Sequence, residues 1–146
     1  EQGARALPPG APHLEAWRQK AIANAWKTAG RAKELGVPII CGTDAAMPYV
    51  THGGNAYELE MLVEAGLTPG EALAAATSGA ADAIAFPEVG RIAAGNYADL
   101  VLVDGDPLAD IRVLQDRRRI SLVLKSGAIV ADRRAQVAAP VPAPAD

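Results

Sequence analysis

The run Val37-Pro38-Ile39-Ile40-Cys41 carries no charge and follows directly on a helical stretch that closes at Gly36. A strand with one wet face alternates apolar and polar residues, whereas a strand covered on both faces reads as a continuous apolar run. Helix, glycine and two-sided strand make half of a βαβ unit, so the run predicts a parallel strand buried between neighbours. At 146 residues the chain falls well short of the ~250 that a complete eight-stranded α/β barrel uses. Two strands cannot close a barrel, and the chain is expected to supply only a portion of one.

The preceding stretch, His13 to Leu35, sets Leu14, Trp17, Ala21, Ala25, Ala29 and Ala32 at helical spacing, with Arg18, Lys20, Lys27, Arg31 and Lys33 largely elsewhere. One amphipathic helix is expected, ended by Gly36 in the left-handed position past its last turn. After the apolar run, Gly42 to Gly54 reads as a loop bearing Thr43, Asp44, Tyr49 and His52. Asn55-x-x-Glu58 has the spacing of a capping box, and the helix it opens stops at Gly66. Thr68-Pro69-Gly70-Glu71 repeats that device, with proline at the first helical position, and Ser78-Gly79 breaks the helical stretch it opens into two short helices.

Beyond Pro87 the periodicity changes to that of strands. Asp99 to Asp104 is a strand; Ser121 to Leu124, a tight turn at Lys125-Ser126-Gly127, and Ala128 to Val130 form a strand–turn–strand. The predicted organisation is a loop over 1–12, the last part of an α/β barrel over 13–86, strands of a small β-sandwich over 87–135, and a Pro-rich tail over 136–146.

Composition removes several function classes. Half the residues are apolar, 21% are charged, and the formal charge of −3 offers no general attraction for phosphates; the one dense basic run, Arg117-Arg118-Arg119, adjoins Asp116. Nucleic acid is not an expected partner. No stretch approaches ~18 uninterrupted apolar residues, so no membrane partner is expected either. A single cysteine, Cys41, forms no internal disulfide and leans the chain to the cytoplasm, as a small packed side chain rather than a reactive thiol. Glu1-Gln2-Gly3 lacks an initiator methionine and a signal core, which predicts either that something has been removed or that the chain is part of a longer polypeptide.

Residues able to carry chemistry are few. His13 and His52 are the only histidines, and neither lies in an HxH, HExxH or Cys-x-x-Cys pattern, so a self-contained zinc site is not expected. No phosphate-binding glycine loop and no Gly-x-Ser-x-Gly elbow is present. Gly42-Thr43-Asp44 remains, at the carboxyl end of the apolar run, where barrel enzymes build their active sites. Asp44 there reads either as a general base or metal ligand, or as a turn-capping aspartate.

Gly42-Thr43-Asp44, then Thr51-His52-Gly53 with Asn55 and Glu58, then Glu64-Ala65-Gly66-Leu67-Thr68-Pro69 and Glu71-Ala72 leading to Ala75-Ala76-Thr77, resembles the carboxyl-terminal part of the metal-dependent amidohydrolase superfamily. The nearest branch is the imidazolonepropionase-like and Xaa-Pro dipeptidase-like one. Gly90-Arg91-Ile92 through Asp99-Leu100-Val101, then Asp104-Gly105-Asp106-Pro107-Leu108 and Val123 with Gly127 and Val130, is similar to the stretch that leads from barrel to β-sandwich in these enzymes. The resemblance spans roughly residues 14–134.

It implies the carboxyl-terminal portion of a (β/α)8 barrel followed by sandwich strands, in a hydrolase where one or two divalent metals, usually zinc, activate water against an amide, peptide or cyclic amide C–N bond. It implies that Asp44 touches the metal and shuttles the water proton, and that His52 lies beside a small amide or peptide substrate. The family's HxH pair, mid-barrel lysine or glutamate and further histidines have no counterpart here, and His13, ahead of a helix, does not replace them. The resemblance therefore implies a chain that needs a missing amino-terminal barrel segment as partner and is inactive alone, with a homo-oligomer left open. The alternative is a non-catalytic α+β module that binds a partner protein.

Overall fold

The computed structural model describes residues 12–45 and 52–134, and of residues 12–19, 21 and 22 the backbone alone. The expected tail over 136–146 and all but the last residue of the 1–12 loop lie outside these; Pro12 opens the first helix. Four helices come first, α1 (Pro12–Glu34), α2 (Asn55–Glu64), α3 (Pro69–Ala76) and α4 (Ser78–Ala83). Three strands follow, β1 (Leu100–Val103), β2 (Ile120–Lys125) and β3 (Ala128–Asp132), with 3-10 turns over Ile111–Gln115 and Arg117–Arg119 between the first two.

Glycine ends two helices as the sequence predicts. At Gly36 (φ +70°) the Gly36 amide donates to the Lys33 carbonyl and that of Val37 to Ala32, and at Gly66 (φ +106°) the amides of Gly66 and Leu67 donate to Val63 and Leu62. These paired bonds satisfy carbonyls that the helix leaves open, and the positive φ they need is one that glycine adopts without cost. Helix α3 begins with a complete capping box: the Glu71 amide donates to the Thr68 hydroxyl at 3.2 Å, and the Thr68 amide donates to the Glu71 carboxylate at 2.6 Å. The division between α3 and α4 falls at Thr77, one residue ahead of Ser78-Gly79.

Two expectations are corrected. Helix α2 is flanked by Gly54, and Asn55 is already helical and makes no cap bond; Glu58 reaches out of the helix instead of back to its start. Residues 37–41 form no strand: they run without helix or ladder, and Val37 and Ile40 are exposed where burial on both faces was expected. The physical reason is that a strand exists by its hydrogen-bonded neighbours, and among the described residues no strand flanks this run. The stripe of α1 is also less covered than its spacing suggests, for Ala29 and Ala32 are half-buried while Ala25 and Trp26 are exposed.

The strands form one antiparallel sheet in the order β1-β2-β3, with Val101 opposite Val123 and Val123 opposite Ala131. Ser126 and Gly127, both at positive φ (+49° and +80°), make the β2–β3 turn, the geometry that matches the twist of paired strands. Asp99 locks this turn to β1 by accepting from the Ser126 amide at 2.6 Å and from the Lys125 ammonium at 3.2 Å.

One core joins the two regions. Leu59 of α2, Ala72 of α3 and Ile111 of the first 3-10 turn are buried together, with Cys41, Leu62, Val63, Leu73, Ala76 and Leu114 packed around them. Ile111 thus seats the β region on the helices, and Gln115 adds a bond to Glu60 at 2.6 Å. Gly90 lies so close to the α3–α4 junction that a Cβ there would come within 2.6 Å of the Thr77 carbonyl oxygen. No helix among the described residues is long and apolar enough to cross a membrane.

Candidate active site

The segment that ends at Asp44 is held at two points. The Cys41 amide donates to the Ala75 carbonyl of α3 at 3.0 Å, and the Gly42 amide donates to Oε1 of Glu58 on α2 at 2.7 Å. Two residues later Asp44 adopts φ +49°, a left-handed conformation that aspartate tolerates better than most side chains, and its side chain is exposed. The backbone is therefore anchored at 41–42 and turned sharply at 44, so that the carboxylate faces outward from the core.

Beneath this turn lies a polar group in an unusual state. Oε2 of Glu58 is buried and has no donor among the described residues, a condition that costs about 1–3 kcal/mol for a buried acceptor. The neighbouring Cys41 thiol is pushed up to about 12, first by burial, then by hydrogen bonding to and the negative charge of Glu58. Cys41 is accordingly a protonated packing group at neutral pH, as the sequence predicts, and not a nucleophile.

His52 begins the return from the loop, exposed in a turn with Gly53 at φ +83°. The Arg117 guanidinium presses on that turn so closely that a Cβ on Gly53 would lie 2.8 Å from Nη2. Residues 46–51, which join Asp44 to His52 and include Tyr49 and Thr51, lie outside the described part. His13 falls within the first turn of α1.

A metal needs more than this. Among the described residues no three His, Cys, Asp or Glu side chains gather into a possible metal site. Asp44 suits one oxygen ligand, being an outward carboxylate on an anchored turn, but a zinc centre takes three or four protein ligands. A separate groove of about 390 Å³ in the β region, lined by Gly105, Asp106, Val113 and Asp116 among others, shares no residue with the 37–58 stretch. Of its charged lining residues, Asp110 pairs with Arg112 and Asp116 with Arg118.

Sequence reasoning missed Glu58 and Arg117 as parts of this region. Glu58 was legible as the end of an Asn-x-x-Glu spacing and as one residue of the motif set that carries the resemblance, with no role of its own, and Arg117 only as one of three consecutive arginines.

Residues 16–130 match the amidohydrolase family. The chain belongs to that family. Ochratoxinase of Aspergillus niger is 37% identical over 99 residues, 66% of this chain and 20% of the ochratoxinase. Imidazolonepropionase of Anaeromyxobacter sp. (strain K) is 41% identical over 75 residues, 51% of this chain and 18% of that protein. The crystal structure of A. niger ochratoxinase superposes with a TM-score of 0.69 at 35% identity, covering 81% of this chain and 27% of that one. A Xaa-Pro dipeptidase with methionine bound in its active site gives 0.64 at 36% identity, with coverages of 71% and 25%. The chain thus spans about a fifth of the length of these curated relatives and about a quarter of these structures. Amidohydrolases are hydrolases, generally metal-dependent, whose fold contains a TIM barrel, and the helices and three antiparallel strands seen here are consistent with a part of such a fold.

Proposed function

We propose that this chain is the carboxyl-terminal part of a metal-dependent amidohydrolase that cleaves an amide, peptide or cyclic amide C–N bond, with residues 13–86 as the last portion of its barrel and 87–135 as part of its β-sandwich. In this reading the barrel strands ahead of the chain flank residues 37–41 and supply most of the metal ligands, while Asp44 supplies one oxygen ligand and the proton shuttle. The observation that supports it most is the placement of Asp44, exposed on a turn whose approach is anchored to both α2 and α3, within the stretch that matches the family. The exposed Val37 and Ile40 support the missing neighbours.

The bound divalent metal, zinc in this reading, would polarise the scissile carbonyl and acidify water. Asp44 accepts the proton of the attacking water and hands it to the departing amine, so that the nitrogen leaves neutral. Its outward carboxylate and anchored backbone suit it to face the substrate without losing its position. His52, at the other end of the same loop, contacts the substrate beside the scissile bond. A small amide or peptide is the substrate class, in keeping with a Xaa-Pro dipeptidase and an imidazolonepropionase among the relatives.

The test is to assay the 146-residue chain and the complete enzyme, with the segment encoded ahead of Glu1, for zinc content and for hydrolysis of Xaa-Pro dipeptides and cyclic amides. The expected result is no stoichiometric zinc and no turnover for the chain alone, and both for the complete enzyme. Turnover by the chain alone overturns the partial-enzyme reading. An encoding gene with no HxH-bearing segment upstream overturns the enzymatic one and leaves the partner-binding module.

A further inference from the structure

We infer that Glu58 is a positioning residue for Asp44: its carboxylate clamps the Gly42 amide and thereby sets the left-handed turn from which Asp44 projects. This rests on the reading of Asp44 as the proton shuttle.

Three observations converge on it. First, Glu58 sits where a capping-box partner belongs by spacing, yet its side chain leaves its own helix unassisted and crosses to Gly42 at 2.7 Å, sixteen residues earlier. A carboxylate accepting from a backbone amide is a charge-assisted bond, stronger and more directional than a neutral one. Second, among the described residues Oε2 meets no donor in hydrogen-bond geometry, so the Gly42 amide at Oε1 is the geometric hydrogen bond that holds the carboxylate. Third, the clamped amide lies two residues before Asp44, whose φ of +49° puts it in a conformation with few neighbouring alternatives. Cys41 packs in the Leu59–Ala72–Ile111 cluster and bonds to Ala75, so the chain is fixed at 41 from α3 and at 42 from α2. A displacement of Gly42 would be passed directly to the Asp44 carboxylate.

The consequence is separable from general stability. Glutamine keeps an acceptor at the same reach, aspartate keeps the charge but is one methylene short, and alanine keeps neither. In the 146-residue chain, Gly42 amide exchange followed by NMR should accelerate about tenfold or more in Glu58→Ala and in Glu58→Asp, and stay within about threefold of the parent in Glu58→Gln. Protection at Leu59 and Ala72 reports that each variant is folded; should Glu58→Ala not fold, Glu58→Asp carries the same comparison. In the complete enzyme, Glu58→Asp should lower kcat by about tenfold or more with KM little changed, and Glu58→Gln should restore most of it, because misplacing a reacting group acts on the chemical step. Unchanged Gly42 exchange in Glu58→Asp overturns the clamp. Accelerated exchange with unchanged kcat overturns its positioning role. If Asp44→Asn also leaves turnover intact, it is the shuttle reading that fails, while the exchange result still decides the clamp.

Discussion

Two mainly apolar runs of similar length meet different fates in this molecule. Residues 120–125 pair on both edges and form the middle strand of a sheet, whereas residues 37–41 stay outside any ladder and keep Val37 and Ile40 exposed. The difference lies in where the partners are. The partner of β2 begins three residues after it, across a Ser126-Gly127 turn whose positive φ angles pre-set antiparallel pairing, and Asp99 ties β1 to that turn. A parallel strand has no such local partner; its neighbours arrive only through crossover connections of a dozen or more residues. What the run 37–41 keeps is the Cys41 bond to α3, followed at Gly42 by the bond to α2 and at Asp44 by the carboxylate of the proposed site.

The contrast can be broken most directly at Asp44. In the complete enzyme, Asp44→Asn should lower kcat at least about a hundredfold, the contribution expected of a general base, with metal content and thermal midpoint close to the parent. An aspartate that only caps a turn would be replaced by asparagine with little effect on either quantity. A variant that retains its metals and turns over within about threefold of the parent would make the segment structural, like the hairpin, and end the proposed division of roles.

The complementary substitution is Gly127→Ala. Nothing lies near enough to meet the added methyl, so its cost is the strain of φ +80° on an L-residue, about 1–2 kcal/mol. A lower urea midpoint and faster amide exchange at 122–124, with turnover in the complete enzyme unaltered, would show that hairpin and Asp44 segment respond to independent demands. Loss of turnover at full stability would link them.

The smallest effect concerns acid. The Glu71 carboxyl is pulled from 4.5 down to about 2, first by its bond from the Lys33 ammonium, then by the Thr68 amide and hydroxyl. A group with a lowered folded pKa contributes its stability fully above its unfolded value and loses it as the pH falls through the folded one. The tie between α1 and the start of α3 should therefore be complete above about pH 4.5 and weaken towards pH 2, and Glu71→Gln should flatten that limb of the denaturation profile. Both groups are substantially exposed, so the effect should shrink in high salt. The hairpin has its own acid-sensitive pair, Asp132 with Arg134, and should keep its pH response in the Glu71 variant.

Local chemistry explains what could be read in advance. Gly36 and Gly66 terminate helices because the positive φ past a helix end suits glycine, and Thr68-Pro69-x-Glu71 starts one because every element of the box is contiguous. The Asn55-x-x-Glu58 spacing looks alike and behaves differently. Gly54 rather than Asn55 flanks α2, no proline presets its first turn, and Glu58 finds the Gly42 amide, a partner that no window of sequence contains. Asp44 was legible as a candidate because it follows an apolar run. The two anchors ahead of it and the approach of Arg117 to Gly53 were not, since each depends on residues between sixteen and sixty-four positions away.

By itself the sequence determined the glycine-closed ends of α1 and α2, the capping of α3, the Ser126-Gly127 turn with the antiparallel strands it joins, and the ordered motifs that mark the amidohydrolase family. Each of these rests on neighbours in the chain, where steric preference and short-range hydrogen bonds act before the fold is complete. Only the tertiary structure decided that Ile111 seats the β region on α2 and α3, that Glu58 serves Gly42 instead of its own helix, and that residues 37–41 remain unpaired. Those outcomes turn on which distant groups compete for one amide or one apolar surface, and that competition is resolved only when the whole chain has packed.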